Sequence, residues 1–141
     1  MEQFLNFVSN NLLLFAALAV VLVMLFFNLF GARLRGYRVV GPTDAVLLIN
    51  HEDAIVLDVR EANEFKDGHI VNAIHIPQSA LGKRLNELEK FRDKPIIVGC
   101  RSGNRSGHAC ALLKKQGFEK VYNLQGGVMA WRSANLPLTR K

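Results

Sequence analysis

Residues 12–30 are apolar throughout except for Asn28. As a helix they span about 28 Å, close to the ~30 Å hydrocarbon thickness of a bilayer. This constrains the fold more than any other feature, because the segment has no polar face to turn toward water. A core helix of a globular domain is usually amphipathic, which argues against that use. A cleaved secretory signal carries basic residues before its apolar run and a small-residue cleavage site after it. Here residues 1–11 hold no Lys or Arg, only Glu2, while Arg33, Arg35 and Arg38 follow the run. The positive-inside rule puts those arginines in the cytoplasm. The sequence therefore predicts an uncleaved single-pass anchor. Residues 1–11 form a short extracytoplasmic segment, 12–30 the transmembrane helix, 31–41 a basic linker, and 42–141 a cytoplasmic domain.

The part after the anchor is enough chain for one hydrophobic core and not for two. It shows no internal repeat and no low-complexity tract. The net charge of +6 invites a nucleic-acid reading. Its basic residues are interspersed with acids and lack an aromatic-rich patch, so no nucleic-acid partner is expected. The arginines beside the anchor read as topology signals that also meet anionic lipid headgroups. With 2 cysteines in a reducing compartment, a disulfide framework is not expected and a working thiol is.

Apolar runs and helical spacings alternate along 42–141. Thr43 is a plausible N-cap for a short helix through Asn50. Ile55-Val56-Leu57-Asp58-Val59 reads as a buried strand. Residues 61–67 form a polar helical turn closed by Gly68, and 73–76 a further strand stopped by Pro77. Leu81, Leu85, Leu88 and Phe91 repeat at helical spacing over 79–91. Residues 95–99 are a strand, and 105–116 a helix with Ala109, Leu112 and Leu113 inward, ended by Gly117. Val121-Tyr122 is a last strand, and 126–134 a final helix carrying Trp131. Alternating strands and helices predict an α/β fold, a small parallel sheet flanked by helices on both faces. Sites in such sheets form beyond the carboxyl ends of the strands.

Cys100 falls at such an end. It follows Pro95-Ile96-Ile97-Val98-Gly99 and opens the loop Cys100-Arg101-Ser102-Gly103-Asn104-Arg105-Ser106. Backbone N–H groups at a strand-to-helix turn converge on an anion, and two arginines add positive potential. Both favour the thiolate, the nucleophilic form. A free thiol has a pKa of about 8.5, so a drop of roughly two units, about 2.7 kcal/mol, makes it mostly ionised at neutral pH.

Four separate motifs in order carry a family resemblance. They are Leu57-Asp58-Val59-Arg60-Glu61 with Glu64-Phe65; Gly68-His69-Ile70 with Ala73 and Ile76-Pro77; the 100–106 loop; and Gly126-Gly127 with Trp131. Together they resemble a single rhodanese domain over about 42–138. Asn72 departs from the family pattern, which usually has glycine there, and bears on the shape of one turn. The resemblance implies a rhodanese-like fold and a sulfurtransferase moving sulfane sulfur from a donor such as thiosulfate to a thiol or cyanide acceptor through a Cys100 persulfide. Arg101, Ser102, Gly103, Asn104 and Arg105 form the substrate-binding loop, with Gly103 permitting the turn and the Arg105 guanidinium free to fork onto an anionic donor. Ser106 is expected to cap the following helix, and Asp58 to orient Arg60 or loop groups. No cofactor or metal is called for. With the anchor, this places a single-pass protein in a bacterial inner membrane, with a lipid bilayer and a possible membrane-protein partner.

Two rival readings share these residues. Cysteine phosphatases place five residues between cysteine and arginine, whereas Cys100 and Arg105 enclose four, a shorter cradle that leaves less room for tetrahedral phosphate. The other is a membrane-tethered rhodanese-like binding module with little catalysis, which retention of Cys100 and both arginines argues against. Cys110 reads as buried packing, His108 as a surface helix residue, His69 as part of a turn, and Trp131 as core. Cys100, His108 and Cys110 do not match a zinc spacing.

Overall fold

The computed structural model describes residues 1–141, the side chain of Ala32 excepted. It divides into two units, Met1–Arg35 and Gly36–Lys141. The first contains helices α1 (Glu2–Asn10) and α2 (Leu12–Arg35). Within α2, Leu12–Gly31 is long and apolar enough to cross a membrane, and none of that window is buried in protein. Continuation of the helix to Arg35 and a strand at Arg38–Val40 give the segment 31–41 regular structure where the sequence reads as a linker.

The second unit runs β1 (Arg38–Val40), α3 (Pro42–Glu52), β2 (Ile55–Asp58), α4 (Ala62–Lys66), β3 (His69–Ile70), β4 (Ile74–His75), α5 (Gln78–Leu81), a 3-10 helix (Leu85–Phe91), β5 (Ile96–Gly99), α6 (Asn104–Lys115), β6 (Val121–Leu124), α7 (Gly127–Ser133) and β7 (Leu138–Thr139). Five strands form a parallel sheet in the order β1-β6-β5-β2-β4, and β3 pairs with β7 antiparallel in a separate ribbon. Central strand β5 keeps register with β2 through Val98↔Leu57 and Gly99↔Asp58, and with β6 through Val98↔Asn123. Alternation along β2 and β5 builds two cores. Leu57, Ile96 and Val98 join Leu81, Leu88, Leu113 and Phe118 on one face. Val56 and Ile97 join Ala45, Leu124 and Trp131 on the other. Cys100 belongs to the first cluster, so the loop's opening residue is anchored by packing.

Two expectations are corrected. Thr43 is not the cap of α3: Pro42 occupies the first turn, where its missing N–H costs nothing, and Gly41 is the N-cap. The single helix over 79–91 is two elements. Leu85, Leu88 and Phe91 are spaced by three, which matches the 3.0 residues per turn of a 3-10 helix and lines them on one edge. Outward, Arg84 forks onto Glu87 and Arg92 onto Glu89. Ala109 and Leu113 are fully buried in the first core, and Leu112, half-buried, packs against it.

Asn72 adopts φ +63°. Asparagine is among the few non-glycine residues that visit this left-handed region readily. The turn after β3 therefore keeps a left-handed residue without a glycine.

Candidate active site

β5 ends at Gly99, flanked on both sides by longer-range partners in β2 and β6, and the chain rises into the 100–103 turn before α6. Gly103 is the N-cap of α6 with φ +109°, a conformation that only glycine takes without strain. The turn so formed aims the Gly103 N–H at Cys100 Sγ, 3.0 Å away. Ser106 Oγ lies 3.4 Å from the same sulfur.

The expectation that Ser106 caps α6 is not met: Gly103 is the N-cap, and no side chain caps the helix. The Ser106 hydroxyl donates to Asn123 Oδ1 at 2.6 Å, and the Asn123 amide donates to the Gly103 carbonyl at 3.1 Å. A buried triangle thus ties β6, the loop and α6 together. The Gly103 contact fixes which end of the Asn123 amide faces Ser106, so a single hydroxyl hydrogen serves two acceptors, Asn123 Oδ1 and Cys100 Sγ. It supports the thiolate when it turns onto sulfur.

The Cys100 thiol lies below its ordinary pKa. Burial is the largest influence and pushes it up. The Ser106 hydroxyl and the backbone N–H groups of Ser106, Gly103 and Ser102 together outweigh it. Cys110, buried in α6 without such donors, is pushed well up by burial and by the nearby Cys100 charge.

Asp58, the last residue of β2, is buried and holds Arg60 through Nη2–Oδ2 at 2.7 Å, Nε–Oδ1 at 3.0 Å and the Arg60 backbone N–H at 3.0 Å. Arg60 Nη2 also donates to the Gly68 carbonyl at 2.8 Å. This buried pair joins the end of β2 to the turn before β3. His75 Nε2 meets the Arg60 carbonyl at 2.7 Å, and Phe65 stacks between His69 and His75. His69, buried, bridges the carbonyls of Phe65 and Lys141.

Arg105 is held differently from the expectation of a guanidinium open to substrate. Its Nη1 and Nη2 fork onto Glu64 Oε1 and Oε2 at 2.6 and 2.9 Å. Glu64 is also half of the capping box that starts α4, accepting from the Glu61 N–H. The bidentate Arg105 contact holds the Glu64 carboxyl at about 2, against an ordinary 4.5. Because the folded value is depressed, this contribution is fully present above pH ~4.5 and is lost as pH falls toward 2. With the side chains 34% and 26% exposed, solvent screening leaves about 1 kcal/mol. Glu64→Gln is expected to lower unfolding free energy by that amount at pH 7 and by little near pH 2. Denaturant titrations across that range give the comparison, and a pH-independent difference would show that the pair contributes nothing.

Of the residues singled out in the sequence, Cys100, Gly103 and Ser106 meet around the sulfur, and Asp58 pairs with Arg60. Arg101, Ser102 and Asn104 are exposed, with the Ser102 backbone N–H among the donors to the Cys100 sulfur. Glu64 and Asn123 complete the arrangement without a sequence signal for their roles, since their partners lie 41 and 17 residues away. His108 is exposed, and among the described residues no cluster of His, Cys, Asp or Glu could hold a metal ion.

A parallel five-stranded sheet whose central strand delivers a hydrogen-bonded cysteine into a strand-to-helix loop is the arrangement of rhodanese-like domains. The family model described as "Rhodanese-like domain" matches residues 42–134, and the chain belongs to that family. Among curated proteins, it is 36% identical to the uncharacterized protein YibN of Escherichia coli (strain K12), over 99% of both chains. It is 40% identical to a sulfurtransferase of Allochromatium vinosum, covering 64% of this chain and 83% of that one. The thiosulfate sulfurtransferase GlpE of Glaesserella parasuis is 34% identical, covering 69% of this chain and 88% of that protein. Among solved structures, a rhodanese-related protein from Thermoplasma volcanium superposes with a TM-score of 0.68 at 35% identity, covering 74% of this chain and all of that one.

Proposed function

We propose that the chain is a membrane-anchored sulfurtransferase that carries sulfane sulfur on Cys100. The observation that carries this reading is the hydrogen-bonded state of Cys100 Sγ at the end of β5, with the Gly103 N–H at 3.0 Å and a thiol pKa below the ordinary value. The names of its sulfurtransferase relatives support the same class.

In the first half-reaction the Cys100 thiolate attacks the outer sulfur of a donor such as thiosulfate. A new S–S bond forms, the old one breaks, and its electron pair leaves with sulfite. The product is a Cys100 persulfide anion. The Gly103 N–H and its neighbours are placed to solvate that negative charge as preorganised donors. In the second half-reaction an acceptor thiolate, or cyanide, attacks the outer sulfur of the persulfide. The leaving electron pair returns to Cys100, restoring its thiolate. Neither step needs an external oxidant or reductant, and alternation of the two gives ping-pong kinetics.

Helix α2 supplies the anchor in this proposal: a single span of the bacterial inner membrane with Arg33 and Arg35 on the cytoplasmic side, and the domain in the cytoplasm. Mass spectrometry of the intact protein after brief exposure to thiosulfate is expected to show a gain of about 32 Da on the peptide carrying Cys100, one added sulfur. Addition of cyanide should remove it. Absence of the adduct under turnover conditions would overturn the reading.

A further inference from the structure

Helix α1, outside both the span and the catalytic domain, has two chemically distinct sides. At about 3.6 residues per turn, Phe4, Leu5, Phe7 and Val8 fall on one half of its surface. Glu2, Gln3, Asn6 and Ser9 fall on the other. Phe4, Leu5 and Phe7 are exposed and Val8 is half-buried. If α1 simply prolonged α2 beyond the bilayer, that apolar side would stand in water.

It does not prolong α2. The helices are separated at Asn11, whose φ of −124° and ψ of 34° leave the helical region. The break is hydrogen-bonded on both sides. Asn11 Nδ2 donates to the Phe7 carbonyl at 2.8 Å, and the Asn11 N–H to the Val8 carbonyl at 3.1 Å. The Asn11 carbonyl in turn accepts from the N–H groups of Leu14 and Phe15 at 3.0 and 3.1 Å, where α2 begins. Polar groups paired in this way are tolerated beside hydrocarbon, where unpaired ones are costly. An aromatic contact fixes the direction of the bend. The rings of Phe7 and Phe15 meet edge-on with centroids 6.0 Å apart. Positions 7 and 15 of an unbroken helix lie about 12 Å apart along its axis. α1 therefore folds toward the flank of α2 that carries Phe15, and its apolar side turns with Phe7 toward the span.

We infer that α1 is a second membrane-contact element, an interfacial helix that lays Phe4, Leu5, Phe7 and Val8 into the boundary of the leaflet where α2 begins. Gln3, Asn6 and Ser9 face the water. Charge identifies the kind of surface it fits. Glu2 is the only charged side chain in residues 1–11, so α1 lacks the Lys and Arg with which interfacial helices seek anionic lipid. Its attachment is burial of apolar area, indifferent to the charge of the headgroups. Residues 1–11 are then part of the anchor and not a tail in solution. This role depends on α2 being a membrane span and is independent of the sulfur chemistry.

The test uses the full chain reconstituted in phosphatidylcholine vesicles, with tryptophan placed at single positions of the anchor. The chain's own Trp131 is buried in the domain core, and the unsubstituted protein supplies its emission as the reference. Leu5→Trp probes the apolar side of α1, Asn6→Trp the polar side, and Val20→Trp the middle of α2. Phe4→Trp repeats the first measurement at a neighbouring position. The added emission of Leu5→Trp and Phe4→Trp should be mostly lost to lipid brominated near the headgroup end of its chains and kept against aqueous iodide. Asn6→Trp should show the reverse, and Val20→Trp should be quenched only by bromine near the chain ends. Replacing part of the lipid with phosphatidylglycerol should leave this pattern unchanged, and a requirement for it would overturn apolar burial as the attachment. Iodide access at Leu5→Trp and Phe4→Trp would overturn the inference, as would equal lipid quenching on both sides of α1, which makes it a continuation of the span. Shielding from iodide without quenching by brominated lipid would also overturn it, because protein and not lipid then covers the face. An unquenched Val20→Trp would overturn the span and the interfacial helix together, whereas a quenched one with Leu5→Trp open to iodide overturns the helix alone.

Discussion

Cys100→Ser is expected to lower sulfurtransferase turnover by at least about 10³-fold while leaving the fold intact. The expected size follows from the role: a nucleophile that forms the covalent intermediate cannot be bypassed by residual binding. A serine hydroxyl is far too basic an anion to be present at neutral pH, and an S–O linkage would not hold sulfane sulfur for transfer. The substitution is nearly isosteric. The Gly103 N–H that meets Sγ at 3.0 Å and the Ser106 hydroxyl remain available to the new oxygen. Its stability cost should accordingly stay within about 1 kcal/mol. Thiosulfate-to-cyanide turnover and thermal melting on the same preparation check both halves. Substantial residual turnover would move the chemistry to another group. The other thiol is Cys110, which is fully buried and pushed away from ionisation, so persistence of activity would refute the nucleophile assignment itself.

The Cys100 thiolate is favoured by short-range, buried donors, whereas the guanidiniums of Arg101 and Arg132 are exposed. Salt should affect the two differently. Screening at high ionic strength weakens exposed charges and leaves buried hydrogen bonds largely untouched.

Legibility in the sequence followed the length and locality of each element. β2 and β5 are continuous apolar runs bounded by polar turns, and α6 begins at the cysteine loop and ends before Gly117, so all three could be read directly. β1, β3 and β7 contain two or three residues each. A run so short has no period to detect, and Arg38 reads as a charge near the anchor, whereas it starts an edge strand paired with β6. Leu85, Leu88 and Phe91 suggested an α-helix because a spacing of three belongs to both helical forms. The Asp58–Arg60 pair was open to inference because its members are two residues apart on a strand end. The Glu64–Arg105 clasp was not: side chains 41 residues apart meet only once α4 and α6 have been placed by the sheet. For the same reason the sequence shows Arg105 as an open cation beside the cysteine, whereas the fold gives it a carboxylate partner.

Gly127→Ala should damage the site more than any other change at a residue that does no chemistry. Gly127 opens α7 with φ +60°. Its backbone packs directly under the cysteine loop: a Cβ there would collide with the Cys100 carbonyl oxygen and come within 2.6 Å of both the carbonyl carbon and oxygen of Arg101. These are backbone atoms, so no rotamer change relieves the clash. The next two N–H groups make the contact rigid, Val128 to Cys100 O at 2.8 Å and Met129 to Arg101 O at 3.2 Å. Left-handed alanine costs about 1 kcal/mol and displacing packed backbone a further ~1–3, giving about 2–4 kcal/mol in total. The displaced atoms belong to the nucleophile's own peptide, so kcat/KM should fall about 10²-fold even where the variant is folded, as expected for a misplacement near 1 Å. Gly126→Ala provides the comparison. It too has positive φ, +72°, but its added Cβ meets the Ala130 side chain at 2.6 Å, inside α7 and away from the loop. It should lose stability yet keep most of its turnover per folded molecule. If Gly127→Ala were as active per folded molecule as Gly126→Ala, the first turn of α7 would be merely a neighbour of the loop and not the surface that sets its position.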